Sequence, residues 1–464
     1  MYEASAAGLT LNIEKCRLGP ATKFTFLGIT IDTASATFSL PQSRAHRLTI
    51  QVRELSAATA HFDRVQAREV AQLLGLLWSA SPCCPRGIAI MARGLVDVLA
   101  KEMRASMYNL PPALRPRYNP CGRHHSNLLR RILASFWSGT VAWSPEAADD
   151  LAFWAAVDFN SLSAPISSDT LNISLTATFA LTDRVPLEGV SYLATDASDV
   201  ACGGGMLVKM GNGFTFVPGT EFISDLPPHL RDQASAVREA TAIEWILRSL
   251  PHRLKRRVVA FSDSKSACNA ILRGSRAPAL QAVVRRIFVW CLRHGITLFP
   301  CWVPRESAII TEADTRSRVV DVYDQRTPRQ VFARADQLAR RYFGRPISFD
   351  RQASHLNAMP PAGMGPRLPF NSMYWQPGSH GVDMFFQPRR CWLAHINFIH
   401  PATPTVGRTI AFIRDVGARA VVVVPATTTL TSWWGPELLQ GSDWVLHTEV
   451  VSGFRVTLFG PQRR

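Results

Sequence analysis

Four acidic residues in the middle of this 464-residue chain fall where they could share one task. Asp196 closes an apolar run in VSYLATDAS, and Asp263 closes another in RRVVAFSD. Glu239 lies in SAVREATAIEW, which reads as a helix, and Asp314 opens a short helical stretch in EADTRSR. An Asp at a strand end emerges where neighbouring parallel strands and their loops converge, so Asp196 and Asp263 face one pocket if their strands are adjacent. Helices crossing that face can add the third and fourth carboxylates. Such a cluster is costly on its own, because close carboxylates raise one another's pKa. Two Mg²⁺ ions, or Mn²⁺, would neutralise it through hard oxygen ligands. Paired ions about 4 Å apart activate a water and stabilise the leaving oxygen of a phosphodiester. The chemistry that this pattern implies is metal-assisted hydrolysis of a nucleic-acid backbone.

Each acid also has an ordinary use. An Asp followed by Ser at a strand end is a common turn former or N-cap. Glu239 has a rival in Glu244 on the same helix, but five residues amount to about 500°, leaving them about 140° apart and unable to share a face. Asp314 competes with Glu312. Singly these signals are weak, and their weight comes from their order within a matching series of elements.

That series is α/β. VSYLATDAS reads as a first strand, the Gly203-Gly204-Gly205 run leads into a second at MLVKM, and Gly211-Asn212-Gly213 turns the chain into a third at FTFVPG. A helix runs from Pro227–Pro228 to about Leu250, RRVVAFSD is a fourth strand, two helices span 264–273 and 277–294, and ITLFPCWVP is a fifth strand before the last helix. Upstream, LTLNIEKC and FTFLGITID read as a hairpin or small sheet. The stretch Arg64 to Ser79 places Val70, Leu73, Leu74 and Leu77 on one helical face, and a further helix is expected around Asn127 to Trp137. Downstream, Asn357 to Gly381 reads as a long Pro/Gly-rich loop. Gly407 to Val416 is then a helix feeding the buried strand ARAVVVVP, with closing strands at 444–450 and 454–459.

The combination of TDAS, RE, SDSKSA and ADTRSR, with its four acids separated by 43, 24 and 51 residues, resembles the ribonuclease H domain of retroelement reverse transcriptases. By that resemblance Asp196, Glu239, Asp263 and Asp314 take the metal-binding catalytic positions, and the substrate is the RNA strand of an RNA/DNA hybrid. The fold implied is a ribonuclease H-like mixed five-stranded sheet with flanking helices. CWVPRES stands where that family has a Pro-Gly-x-x-Asn turn, with Arg305 and Glu306 replacing part of it, and no histidine lies between Gly295 and Asp314. AAGLTLNIEKCRL and FTFLGITID resemble the end of a reverse-transcriptase palm, followed by a mainly helical thumb and connection. The polymerase's aromatic-x-Asp-Asp turn is missing from this sequence, so the resemblance implies a truncated retroelement Pol protein that does not polymerise DNA alone. GVDMFF, the Trp392 region, ARAVVVVP and SWWGPEL resemble the domain after ribonuclease H in mobile elements of the DIRS kind, a retrotransposon class with a tyrosine recombinase. That domain is related to adenine methyltransferases. Here 397–401, Asn-Phe-Ile-His-Pro, is a poor version of the base-holding loop and no glycine-rich cofactor loop is seen, which implies a degenerate α/β module with no cofactor-binding residues or, the favoured alternative, a plain structural domain. The divisions expected are 1–185 (palm end, thumb and connection), 190–320 (ribonuclease H-like) and 334–464 (the small α/β module).

Composition fits such a partner. Lys plus Arg number 51 against 35 acidic residues, a formal net charge of +16, which favours a polyanion because basic groups release counterions from phosphates. Arg-rich coding is the plain alternative. Arg253, Lys255, Arg256 and Arg257, with Arg273 and Arg276, are the basic residues expected to hold an RNA/DNA hybrid through its backbone, whereas Trp290 and Trp302 are expected in the core. Nine scattered cysteines without metal or disulfide spacing read as reduced thiols. No apolar stretch reaches the roughly 18 residues of a membrane span, and the first residues lack a secretory pattern. The expectation is an intracellular protein, cytoplasmic or nuclear, that does not engage a membrane. Two other readings stand beside the nuclease: a catalytically silent nucleic-acid-binding remnant, and a structural subunit of a separately encoded polymerase portion.

Overall fold

The computed structural model of the protein describes residues 20–61, 64–84, 87–108, 136–165, 189–210, 213–318, 326–360, 367–429, 432–438 and 443–461. They form two compact units: Met1–Ile173 with Leu272–Gln281, and Ser174–Ile271 with Ala282–Arg464. No described helix is long and apolar enough to cross a membrane.

The first unit is mainly helical. Its strands β1 (Lys23–Phe26), β2 (Ile29–Asp32) and β3 (Thr37–Ser39) precede α1 (Gln42–His61), and β4 (Arg64–Gln66) leads into α2 (Ala67–Ser79). After α3 (Gly87–Met91) and α4 (Arg93–Tyr108) come β5 (Thr140–Ala142), α5 (Pro145–Ala155) and β6 (Ser163–Pro165). FTFLGITID is itself a hairpin within a small sheet of order β1-β2-β3-β6: β1 and β2 pair with Phe26 opposite Ile29. The two turn residues, Leu27 and Gly28, both take positive φ, at 50° and 77°, the backbone that a two-residue hairpin turn demands. LTLNIEKC and most of the helix expected around Asn127 lie outside the described residues. The face of Val70, Leu73, Leu74 and Leu77 is buried as its spacing predicts, but the helix starts at Ala67, because Arg64–Gln66 pairs antiparallel with β5. Trp154 on α5 is 1% exposed and donates its indole N–H to the Met91 carbonyl at 2.6 Å.

The second unit carries two sheets. In the first, β7 (Val190–Ala197), β8 (Ala201–Met210), β9 (Gly213–Phe216), β10 (Phe222–Asp225), β11 (Arg257–Ser262) and β12 (Thr297–Trp302) adopt the order β10-β8-β7-β11-β12, with β9 also on β8. The pairs β7–β8 and β8–β10 are antiparallel, whereas β11 is parallel to both β7 and β12. This is the mixed sheet that the sequence implies, with one difference. Two short strands, β9 and β10, share the third position, parted by a turn at Gly219 (φ 73°). Flanking it are α6 (Pro228–Arg231), α7 (Ser235–Ser249), α8 (Lys265–Arg273), α9 (Pro278–Arg293) and α10 (Ala308–Ser317). The single helix expected from Pro227 to Leu250 is therefore two.

The glycine run lies inside β8 rather than ahead of it, and each glycine makes room. A Cβ on Gly203 would run into the backbone of Arg316 and Ser317, and one on Gly205 into the Phe216 ring. Gly203 thus lets the end of α10 settle against the sheet beside Asp196, its partner in register.

The last sheet contains β13 (Phe349–Asp350), β14 (Phe370–Ser372), β15 (Ser379–Val382), β16 (Asn397–Ile399), β17 (Ala420–Pro425), β18 (Val445–Val451) and β19 (Phe454–Phe459), in the order β15-β14-β13-β16-β17-β19-β18. The first five are parallel, and β19 runs antiparallel between β17 and β18. Around it lie α11 (Arg329–Phe343), α12 (Arg389–Leu393), α13 (Val406–Val416) and α14 (Ala426–Thr429). Along β17, Val421 and Val423 enter one apolar cluster while Ala420, Val422 and Val424 enter another, so the strand is buried on both faces, as its unbroken valines imply. The stretch 357–381 is not simply a loop. It supplies β14, whose three residues are all buried.

Candidate active site

Parallel pairing sets Ala194 of β7 beside Phe261 of β11, so Asp196 and Asp263 leave neighbouring strands at the same end of the sheet. Glu239 reaches them from α7. One carboxylate oxygen from each of the three lies within 4.8 Å of the others. Asp196 and Glu239 are buried, at 4% and 3% exposure, and Asp263 is half-buried.

Each buried acid is held by neutral donors. Ser317 Oγ donates to Asp196 Oδ2 at 2.5 Å, while Ser198 Oγ donates to the Ser317 carbonyl at 2.8 Å and fixes the end of α10. The Ala197 amide donates to Glu239 Oε1 at 3.3 Å and Ser262 Oγ to Glu239 Oε2 at 3.2 Å. These bonds are too few to offset desolvation. Burial, and then the charges of Asp263 and Asp314, push the Asp196 carboxyl up against the opposing Ser317 bond. Burial, Asp196 and Asp263 push Glu239 well up. Among the described residues no ion pair reaches any of the three. Three converging carboxylates, two of them buried, are the oxygen-rich set that suits a hard divalent ion, so Asp196, Glu239 and Asp263 fit such a group.

Asp314 is placed differently. Its side chain is 26% exposed, and its Oδ1 accepts from Arg305 Nη2 at 3.0 Å and Arg318 Nη2 at 2.7 Å. Burial works to raise its carboxyl, but the two guanidinium bonds prevail and hold it below the usual range. It is near enough to add to the field on Asp196 but is not among the three that meet. Its rivals are occupied as the helical geometry requires. Glu244, 1% exposed, is clasped by Arg286 and Arg248, and Glu312 pairs with Arg316.

The cleft over the carboxylates is lined by Asp196, Glu239, Asp263 and a further acid, Asp199, by Arg238, Arg305 and Arg318, and by Ala197, Ser198 and Ser235. None of the six basic residues expected to hold nucleic acid is among these. Arg253, Lys255, Arg256 and Arg257 are exposed, but they lie before or at the start of β11, and six residues of strand put them about 20 Å from its other end. Arg253 is also tied to the Gly219 carbonyl at 2.7 Å. Arg273 and Arg276 are exposed at the corner between α8 and α9. Trp302 is 46% exposed and not in the core. Its indole donates to the Asp263 carbonyl at 3.0 Å, leaving a ring at the edge of the site, whereas Trp290 is buried as expected. Arg238, Arg305, Arg318 and Ser317 were missed in the sequence. Adjacency to Glu239 and four-residue spacing from Asp314 were the available signals for Arg238 and Arg318.

In the last sheet Asn397 begins β16 and is fully buried. Its side chain accepts from Arg351 Nε at 2.6 Å and donates to the Trp392 and Arg419 carbonyls. Asn397 is therefore a structural partner of Arg351 and not the start of an open loop.

No protein-family model matches the sequence, and no curated protein matches it. Among solved structures, a ribonuclease H1 from the halophilic archaeon Halobacterium salinarum is 16% identical, covering 27% of this chain and 93% of that one, with a TM-score of 0.22. The foamy viral protease-reverse transcriptase in complex with RNA/DNA hybrid is 11% identical, covering 64% of this chain and 53% of that one, with a TM-score of 0.20. The foamy viral protease-reverse transcriptase dRH in complex with double-stranded DNA is 9% identical over 61% of this chain and 38% of that one, with a TM-score of 0.19. The chain thus spans about half or less of the length of these viral enzymes. At such TM-scores the likeness adds nothing to the strand order and side chains already described.

Proposed function

We propose that the sheet of β7 to β12 carries a ribonuclease H-type hydrolase that cuts the RNA strand of an RNA/DNA hybrid, within a retroelement Pol protein of DIRS-like origin. The observation that supports this most is the convergence of Asp196, Glu239 and Asp263, three acids far apart in sequence, at one cleft. These residues would hold Mg²⁺ or Mn²⁺, in a pair if Asp314 joins them. When bound, the metal supplies an activated water and charge stabilisation at the leaving oxygen of a phosphodiester. The protein's own part is orientation. Ser317 fixes Asp196, Ser262 and the Ala197 amide fix Glu239, and Arg238, Arg305 and Arg318 give the cleft a positive rim for a polyanion. The three-part division at 1–185, 190–320 and 334–464, and association with a separately encoded polymerase portion, belong to the same proposal.

A labelled hybrid incubated with the protein and Mg²⁺ is expected to be cut in its RNA strand, with the activity lost in EDTA and in Asp196→Asn. Equal cutting by Asp196→Asn refutes the assignment. The second reading, a silent binder, draws on the capture of Asp314 by two arginines. It predicts salt-sensitive hybrid binding without any metal-dependent cutting.

A further inference from the structure

The loop between β12 and α10 gives Arg305 a position that the carboxylates alone do not explain. Arg305 Nη2 and Arg318 Nη2 converge on one atom, Asp314 Oδ1, at 3.0 and 2.7 Å. Two cations on one carboxylate leave a surplus positive charge. Both guanidinium groups are well exposed, at 62% and 59%, and both line the cleft of the three converging acids. Arg305 also lies in the field of Asp263 and Asp196. Among the described residues it reaches the cleft from the loop between β12 and α10, and Arg318 closes the same rim from the end of α10. A guanidinium binds phosphate oxygens with the same planar fork that it offers a carboxylate. The carboxylate of Asp314 and a substrate phosphate are therefore alternative partners for one pair of arginines.

We infer that Arg305 and Arg318 are positioning residues that exchange Asp314 for a backbone phosphate of the nucleic acid, so that substrate entry releases Asp314 toward the other three acids. This rests on the nuclease reading for its last step but not for its first. The exchange is a change of ionic partner, with no bond made or broken. In the free protein Asp314 masks the rim, and in the complex the phosphate takes its place. The arginines keep one anionic oxygen partner in both states.

The test is a double-mutant cycle read by hybrid binding in EDTA, where cutting plays no part. Asp314→Asn is expected to tighten binding of a labelled hybrid, because the rim arginines lose their internal competitor. Arg305→Ala is expected to weaken binding by about three- to tenfold and to lower the salt slope by about one phosphate contact. In the Arg305→Ala background, Asp314→Asn should tighten binding by less than half as much. Arg305→Lys should restore the salt slope, since it keeps the charge, and a purely structural role for Arg305 would not produce that rescue. The inference is overturned if Asp314→Asn leaves affinity unchanged, or tightens it equally with and without Arg305. In Mg²⁺, Arg305→Ala is expected to raise KM more than it lowers kcat. Failure of the nuclease reading would show separately, as a wild-type protein that binds hybrid with the predicted cycle but never cuts it.

Discussion

Asp196 and Asp350 hold the same place in two different sheets: each ends, or nearly ends, the first strand of an α/β sheet, and each is almost wholly buried. Burial raises both carboxyls, that of Asp350 to about 7. There the likeness stops. Around Asp196, the neighbouring strand end and the crossing helix add Asp263 and Glu239. Around Asp350, the neighbouring strand ends add Ser372 and Ile399, and Oδ1 of Asp350 has no hydrogen-bond partner. Arg351, the first residue after β13, has other partners. It bonds Asn397, Asn371 and the Cys391 carbonyl, between the rings of Phe349 and Trp392. A buried acid at a strand end is thus common to both regions. Among the described residues, convergence of three acids on an open cleft, two from strand ends and one from a helix, is found in one.

If that difference is functional, substitutions should separate the two regions. The largest effect is expected from Asp196→Asn and Asp263→Asn, each lowering Mg²⁺-dependent cutting of hybrid by at least about 100-fold, while Asp350→Asn leaves the rate near wild type. Comparable losses in all three would erase the comparison. Next is the contrast within α7. Glu244→Ala strips a buried acid from Arg286 and Arg248 and should cost about 2–3 kcal/mol in denaturant unfolding. Glu239→Gln should abolish cutting yet leave the metal-free protein as stable as wild type or more so, because it removes a desolvated charge.

The smallest effect is a pH dependence. Below about pH 4 the Asp350 carboxyl is neutral in both the folded and the unfolded chain. Between there and about 7 only the unfolded chain releases the proton, so stability falls as pH rises, and above about 7 the loss is complete. Thermal melts at pH 5 and pH 8 should therefore show a smaller drop in Asp350→Asn than in wild type. An equal drop would mean that the carboxyl is ionised in the folded protein.

Much of the first of these regions was legible. β7 and β11 are runs of apolar and β-branched residues long enough to show as strands, and the rotation between Glu239 and Glu244 followed from helical geometry alone. The environment of Asp314 was not legible, because it depends on how the loop before α10 returns Arg305 and on where that helix ends. Nor did counting arginines reveal which end of the sheet they occupy: the cluster 253–257 is conspicuous in sequence and sits at the far end of β11 from the acids. In the last sheet Phe349–Asp350, Phe370–Ser372 and Asn397–Ile399 are too short to leave any periodicity, so the sheet announced itself through the valine run of β17 and the two closing strands, β18 and β19.

The most direct measurement is anomalous scattering from crystals of the protein soaked in Mn²⁺. A peak bounded by the carboxylates of Asp196, Glu239 and Asp263, with none at Asp350, is the predicted result. A cleft without manganese beside those three acids would contradict the account.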